Sequence, residues 1–228
     1  MRKWLLMAAL MFGFTLPVVA AMSPDAIVKE TSDKLLAALT ENRDRISSDK
    51  AYLYTLVGDI VLPRFDFESM SRLALGRYWN VATQAERDEF VSEFRTLLVN
   101  TYAVALTHYN NQTVRFLPMQ AEEDARRVTV KTEINQPGGV PIPIYYKLLN
   151  RDADDWKVYD VIVDGVSLVT NYRSAFAQDM RLGGVGTVIS NLKQRNAQHQ
   201  IADTTDAAAT KTAAEAPATD KSSAKAVQ

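Results

Sequence analysis

The chain of 228 residues contains no cysteine, which excludes several kinds of chemistry at once. Without cysteine there is no disulfide, no thiol nucleophile and no thiolate metal ligand, so the core must stabilise the fold. Histidine is nearly absent too, because His108 and His199 are the only two. Neither has a partner at metal-ligand spacing. Both shortages argue against a metal centre and against catalysis by a histidine base.

Sequence motifs that mark common enzyme classes are also missing, including GxSxG, HExxH, the phosphate-binding loop and the dinucleotide fingerprint. Asp152, Asp154 and Asp155 form an acidic run that is too short for a calcium loop, so we interpret it as a solvated turn. Asp160 lies within an apolar strand. We interpret it as a hydrogen-bonded brace, with a catalytic carboxylate as the alternative. We therefore predict that the chain is not an enzyme and has neither a metal site nor a cofactor.

An excess of charge of either sign is absent as well. The chain has 26 basic and 27 acidic side chains, so it lacks the strongly basic surface that nucleic acids attract. We expect no nucleic-acid partner.

The two ends of the chain differ in composition from its centre. Residues 1–21 begin with Arg2 and Lys3, continue with an apolar run to Leu16 and end in small residues, as signal peptides do. Residues 199–228 are rich in Ala, Thr, Asp, Lys and Ser, which predicts a disordered tail. We therefore expect export to the periplasm and a single domain over residues 22–198, a length that suits one core.

Helical periodicity dominates the first half of this domain. Ser23 and Pro24 are typical of a helix start, and Asp66 suits the cap of a short helix that ends at Gly76. Thr83 and Glu86 form a capping box that opens the longest helix. After the strands described next, Ser167 can cap another helix, which Gly183 and Gly184 interrupt.

From Gln112 onwards the apolar period changes to two, which predicts four strands joined by short turns. Short links favour antiparallel neighbours. The order of elements predicts an α+β fold in which helices pack on one face of a curved four-stranded antiparallel sheet. A twisted sheet can leave an apolar pocket beneath the helices, but the same two faces can also pack together as a sealed core. Periodicity does not separate these two interpretations.

Several segments together resemble one protein family. They are Phe67–Met70, Leu75–Trp79, Phe90 with Phe94, Trp156–Asp160, Asp164–Ser167 and Asn171–Arg173. In order and spacing, from about Ser23 to Gln198, the chain resembles the MlaC or toluene-tolerance family of phospholipid shuttles. This resemblance favours the pocket over the sealed core.

The resemblance implies a periplasmic, monomeric carrier with phospholipid as cargo rather than cofactor. Its implied partners are an inner-membrane ABC transporter with an MCE-domain subunit and an outer-membrane lipoprotein–porin complex. A pocket of roughly 300–1,000 Å³ would serve such a carrier. We predict that the lipid tails contact Val128, Val130, Ile142, Ile144, Tyr146, Trp156, Val158, Leu98, Tyr102 and Phe176.

Basic residues on the strands and at their ends suggest a second site. Arg126, Arg127, Lys131, Lys147 and Lys157 are predicted to form a docking surface for partners on the polar face of the sheet, with an ordinary solvated face as the alternative. A periplasmic chaperone and a binding protein for small apolar ligands remain the alternative functions.

Overall fold

The computed structural model describes residues 22–119, 125–151 and 155–215, with side chains described as far as residue 199. The predicted signal peptide at residues 1–21 lies outside these ranges, as do Asp152 and Asp154. The division into signal, domain and tail therefore stays a prediction.

The described residues form seven α-helices and one short 3-10 turn at Leu62–Arg64. Six helices precede the sheet and the seventh follows it. They are α1 (Pro24–Glu41), α2 (Arg43–Ser48), α3 (Lys50–Ile60), α4 (Phe67–Leu75), α5 (Tyr78–Val81), α6 (Gln84–Thr107) and α7 (Leu168–Glu215).

Two predicted caps of the helices that precede the sheet are confirmed. The Asp66 carboxylate accepts a hydrogen bond from the Ser69 backbone N–H at 2.9 Å at the start of α4. At the start of α6 the Glu86 N–H donates to the Thr83 hydroxyl at 3.2 Å, and the Thr83 N–H donates to the Glu86 carboxylate at 2.8 Å. Each cap provides an acceptor for a backbone N–H that has no partner within its helix.

The predicted break at Gly183 and Gly184 is confirmed within α7. Gly184 leaves helical geometry with φ 71° and ψ −160°, a conformation that favours glycine. The Asn191 side-chain amide donates to the Asp179 carboxylate at 2.9 Å across this break, so the second half of α7 lies beside the first. The helical backbone continues to Glu215, past the start of the segment predicted as a tail.

The strands form one antiparallel meander in the order β1-β2-β3-β4-β5. The α+β class and the layering are confirmed, but the predicted number of four strands is wrong. The strands are β1 (Thr113–Phe116), β2 (Arg127–Asn135), β3 (Ile142–Asn150), β4 (Trp156–Val163) and β5 (Val166–Ser167).

The fifth strand exists because the chain reverses within two residues after β4. Asp164 and Gly165 both have positive φ, at 48° and 80°, as a two-residue hairpin turn requires. Val166 therefore pairs with Val163 before α7 begins. Gly165 therefore lies in the turn of a last hairpin and does not end the sheet.

Strand register separates the two faces of the sheet. Val130, Tyr146 and Val161 lie opposite one another on neighbouring strands and face the helices. Lys131 and Tyr145 are paired on the outer face. The inner face packs on α1 through Val28, while Phe90, Phe94, Tyr172 and Phe176 hold α6 against α7 by ring contacts of 5.2–5.9 Å.

Asp160 joins the sheet to the last helix. This residue is 2% exposed, and its carboxylate accepts hydrogen bonds from the Ser167 hydroxyl at 2.8 Å and the Val169 N–H at 3.3 Å. Lys147 adds an ion pair at 3.2 Å. Ser167 in turn accepts from the Thr170 N–H at 3.2 Å and caps α7. The interpretation of Asp160 as a brace at a helix start is confirmed.

Replacing Asp160 with alanine should destabilise the fold by about 3 kcal/mol, because three donors lose their buried acceptor. Urea unfolding of the two proteins measures this difference. Asp33→Ala is the control, since Asp33 forms an exposed ion pair with Lys29 and should change stability by less than about 1 kcal/mol. Equal effects of the two substitutions would contradict the brace.

Candidate functional site

An apolar cavity of about 260 Å³ lies between the helices and the inner face of the sheet. Its walls come from α1, α3, α4, α6, α7, the segment around the 3-10 turn and two strands. The lining residues are Leu35, Val57, Val61, Leu62, Phe65, Phe67, Met70, Leu98, Val99, Tyr102, Ala103, Leu106, Ile144, Tyr146, Val161, Val163 and Leu168. Layers that meet elsewhere as a packed core thus remain apart here.

Burial changes along the inner face of the sheet and shows where the cavity is closed. Val130, Leu148 and Val158 are at most 3% exposed, and they pack with Val28 of α1. At the other end of the same strands, Ile134 and Ile142 are paired and only half-buried. The inner face is therefore sealed at one end and open towards the β2–β3 hairpin.

Tyrosines supply the polar atoms among the described side chains that line the cavity. Burial raises the pKa of Tyr146, and a hydrogen bond with Thr132 opposes this effect. Tyr102 is 44% exposed, and partial burial together with its contact with Tyr172 raises its pKa to about 12. Both phenols are neutral at physiological pH, so the wall carries no charge.

Four of the ten residues predicted to contact lipid lie on this wall, namely Leu98, Tyr102, Ile144 and Tyr146. The other six lie elsewhere. Val128, Val130, Trp156 and Val158 belong to the packed cluster beside α1, Ile142 lies at the half-buried end, and Phe176 packs between α6 and α7. Lipid contact by any of the ten stays a prediction.

Sequence reasoning missed most of the helical wall. Val57 lies on the apolar face of α3, and Val61 follows the end of that helix. Phe65 and Phe67 flank the cap of α4. The apolar periodicity of the helices predicts a buried face, but it does not indicate which surface that face contacts. The apolar continuation of α3 through Val61 and Leu62 was the available signal.

The five predicted docking residues fall into two groups. Lys147 pairs with Asp160, and Lys157 pairs with Asp155 at 3.1 Å while donating to the Pro63 carbonyl at 2.9 Å. Both ammonium groups therefore already contact other parts of the fold.

Arg126, Arg127 and Lys131 are exposed and form no ion pair with another described residue. The Arg127 guanidinium lies 5.9 Å from the centre of the Tyr159 ring, and the Lys131 ammonium lies 5.7 Å from that of Tyr145. The outer face thus alternates cations with aromatic rings.

Within residues 22–119, 125–151 and 155–215, no group of three or more His, Cys, Asp or Glu side chains is placed to hold a metal ion. In the same ranges no helix combines the length and the hydropathy needed to cross a membrane.

Comparison with known proteins identifies this architecture. Residues 29–194 match the sequence model of the family described as MlaC protein, which covers well over half of the chain. The chain belongs to the MlaC family. Members of this family are lipid-binding transport proteins and not enzymes, so the prediction of a non-enzyme is confirmed.

Two relatives of this MlaC-family chain match it over most of its length. It is 28% identical over 203 residues to the intermembrane phospholipid transport system binding protein MlaC of Haemophilus influenzae, covering 87% of this chain and 95% of the relative. It is 31% identical over 185 residues to the toluene tolerance protein ttg2D of Pseudomonas putida, covering 81% and 84%.

A solved structure is similar as well. It shows the phospholipid-binding protein of Ralstonia solanacearum in complex with a phospholipid, and it matches with a TM-score of 0.72 and 33% identity. The match covers 79% of this chain and 99% of the other.

The raised pKa of Tyr102 makes a prediction about alkaline stability. The pKa of Tyr102 is about 12 in the folded state, whereas the ordinary value is 10.0. Its contribution to the free energy of unfolding is therefore complete below pH 10 and is lost as pH rises towards 12. The unfolding free energy of the wild type should therefore fall more than that of Tyr102→Phe over this interval. Urea unfolding at a series of pH values measures this difference. An equal loss of unfolding free energy in both proteins would contradict the raised pKa of Tyr102.

Proposed function

We propose that this chain is a periplasmic carrier that binds phospholipid tails in its cavity and ferries the lipid between the outer and inner membranes. The observation that carries the proposal is the uncharged cavity between helices and sheet, with phenol groups as its only polar side chains among the described residues. Its family and the phospholipid-bound Ralstonia relative support the same cargo.

Burial of hydrocarbon is the physical requirement for such a carrier. Each methylene removed from water contributes about 0.8 kcal/mol, so a two-chain lipid does not cross an aqueous space unshielded at a useful rate. The cavity wall supplies the shield. The charged head group remains outside, where water already solvates it, and we expect little selectivity for its chemistry.

Cavity size and burial also indicate how the lipid is accommodated. The volume of about 260 Å³ is below the roughly 300–1,000 Å³ of ordinary ligand pockets, so it holds only part of a two-chain lipid. The tails therefore extend towards the half-buried Ile134 and Ile142, or the helices and sheet separate further. Tyr102 lies half-exposed on the wall, where its hydroxyl can meet the polar ester groups of the lipid.

The carrier acts by equilibrium binding and needs neither a cofactor nor a catalytic group. A protein that only binds lipid moves it down whatever gradient its partners impose. We propose as these partners an inner-membrane ABC transporter with an MCE-domain subunit and an outer-membrane lipoprotein–porin complex. Export by the predicted signal peptide would place a monomeric carrier between them.

A tryptophan on the cavity wall should displace the cargo. Val99 and Val91 are half-buried valines two turns apart on α6; Val99 lines the cavity, whereas Val91 packs against the helical core. Val99→Trp should lower the phospholipid retained after mild purification at least about fivefold, because the indole fills space that the tails need. Native mass spectrometry measures the bound fraction.

Val91→Trp is the matched control, with the same overpacking on the same helix but away from the cavity. Circular dichroism and cooperative unfolding establish that both variants fold. A folded Val99→Trp that keeps its full complement of phospholipid would refute binding in this cavity, and so would a wild type that purifies without lipid.

Docking is proposed on the outer face of the sheet. Arg126→Glu with Lys131→Glu should weaken partner binding at least about tenfold if acidic partner surfaces meet these exposed cations. Surface plasmon resonance against the soluble MCE domain measures it. Lys29→Glu with Lys34→Glu reverses the same amount of charge on α1 and is the control. Unchanged affinity in the outer-face variant would discard this docking surface.

A further inference from the structure

A second crevice, remote from the cavity wall, lies where α4 and α5 meet the first half of α7. Its volume is about 330 Å³. It is lined by Ala74, Leu75, Gly76, Arg77, Tyr78, Arg173, Ala177, Met180 and Arg181. None of these residues lines the apolar cavity, although Leu75–Tyr78 and Arg173 belong to the segments that carry the family resemblance.

The three arginines of this crevice are exposed, and two of them are held in place by their neighbours. Gly76 has φ 56°, and a Cβ at this position would lie 2.9 Å from Nη2 and 3.1 Å from Cζ of Arg173. The guanidinium therefore occupies the space that only glycine leaves free. Arg77 lies over the Tyr78 ring at 5.0 Å and donates to its hydroxyl at 3.2 Å.

The crevice contains no carboxylate among its lining residues. The nearest acidic side chains along the chain are engaged elsewhere. Glu68 pairs with Arg72 and Arg151, Glu86 accepts from Thr83, and Asp179 accepts from Asn191. Three neighbouring positive charges repel one another, so an anion from outside stabilises this arrangement.

Large exposed apolar side chains follow two lining segments of this crevice along the chain. Val81 ends α5 and Leu182 follows Arg181, and each is 77% exposed. A Cβ at Gly186 would lie 4.0 Å from the Glu86 carboxylate, which brings the break in α7 next to the α5–α6 junction. Val81 and Leu182 therefore project from the same end of the helical layer.

We infer that this end of the helical layer docks onto the surface of an anionic phospholipid bilayer. Arg77, Arg173 and Arg181 meet lipid phosphates, while Val81 and Leu182 enter the interfacial region. Guanidinium groups suit phosphate oxygens because they donate several hydrogen bonds in one plane. Exposed apolar side chains beside cations are typical of interfacial surfaces, whereas an acidic protein surface would leave Val81 and Leu182 unmatched.

Vesicle co-sedimentation of the signal-processed protein tests this surface independently of the cargo proposal. The wild type should bind vesicles of phosphatidylglycerol and phosphatidylethanolamine more tightly than vesicles of phosphatidylcholine. The triple variant Arg77→Gln, Arg173→Gln, Arg181→Gln should lose this preference, with partitioning reduced about fivefold per arginine. High salt should have a similar effect, since it screens exposed charges.

Two further variants separate the surface from general effects. Arg43→Gln, Arg45→Gln, Arg195→Gln removes the same charge from other exposed positions and should bind nearly as well as the wild type. Leu182→Ser, at a position too exposed to affect folding, should weaken binding severalfold. Val99→Trp should bind vesicles normally, because it alters only the cavity.

The inference is overturned if the crevice variant binds anionic vesicles as tightly as the wild type, or if the control triple loses as much. It is equally overturned if the wild type ignores anionic vesicles and uses these arginines to bind an acidic protein. A wild type that retains no phospholipid but binds anionic vesicles would instead contradict the cargo proposal. The proposed membrane-docking surface would be unaffected by that result.

Discussion

Two buried carboxylates hold the sheet at a fixed distance from the helices, and the cavity depends on that spacing. Asp160 connects β4 to the start of α7. Asp66 accepts from Ser69 at the start of α4 and pairs with Arg151 at 2.9 Å just beyond β3, while its N–H donates to the Val158 carbonyl at 2.8 Å. With these connections in place, the inner face is packed at one end and open at the other.

Much of the fold followed from local signals in the sequence. The caps at Asp66 and Thr83 and the break at Gly184 each depend on a few adjacent residues, so they were predictable. The fifth strand was missed because it is two residues long and depends on positive φ at Asp164, a residue other than glycine. The short helix α2 was missed because the polar stretch after α1 resembles a loop.

The site was harder to predict than the fold. Alternation identified the inner face of the sheet, which includes Ile144 and Tyr146, but it did not show where α1 covers that face. Val130 and Val158 lie on the same face of the sheet as the wall residues but are sealed by packing, a property of tertiary arrangement. Likewise, the position of Lys147 in a strand does not indicate whether its ammonium group is solvated or, as the structure shows, paired with a buried aspartate.

The proposed lipid site and the proposed membrane-docking surface lie in different parts of this molecule, the cavity under the sheet and the far end of the helical layer. A crystal of the protein with a phospholipid brominated along its acyl chains tests the central claim most directly. The bromine anomalous peaks should lie between α6 and the inner face, within about 4.5 Å of Val99 and Ile144. Ordered bromines found only outside this space would contradict the account.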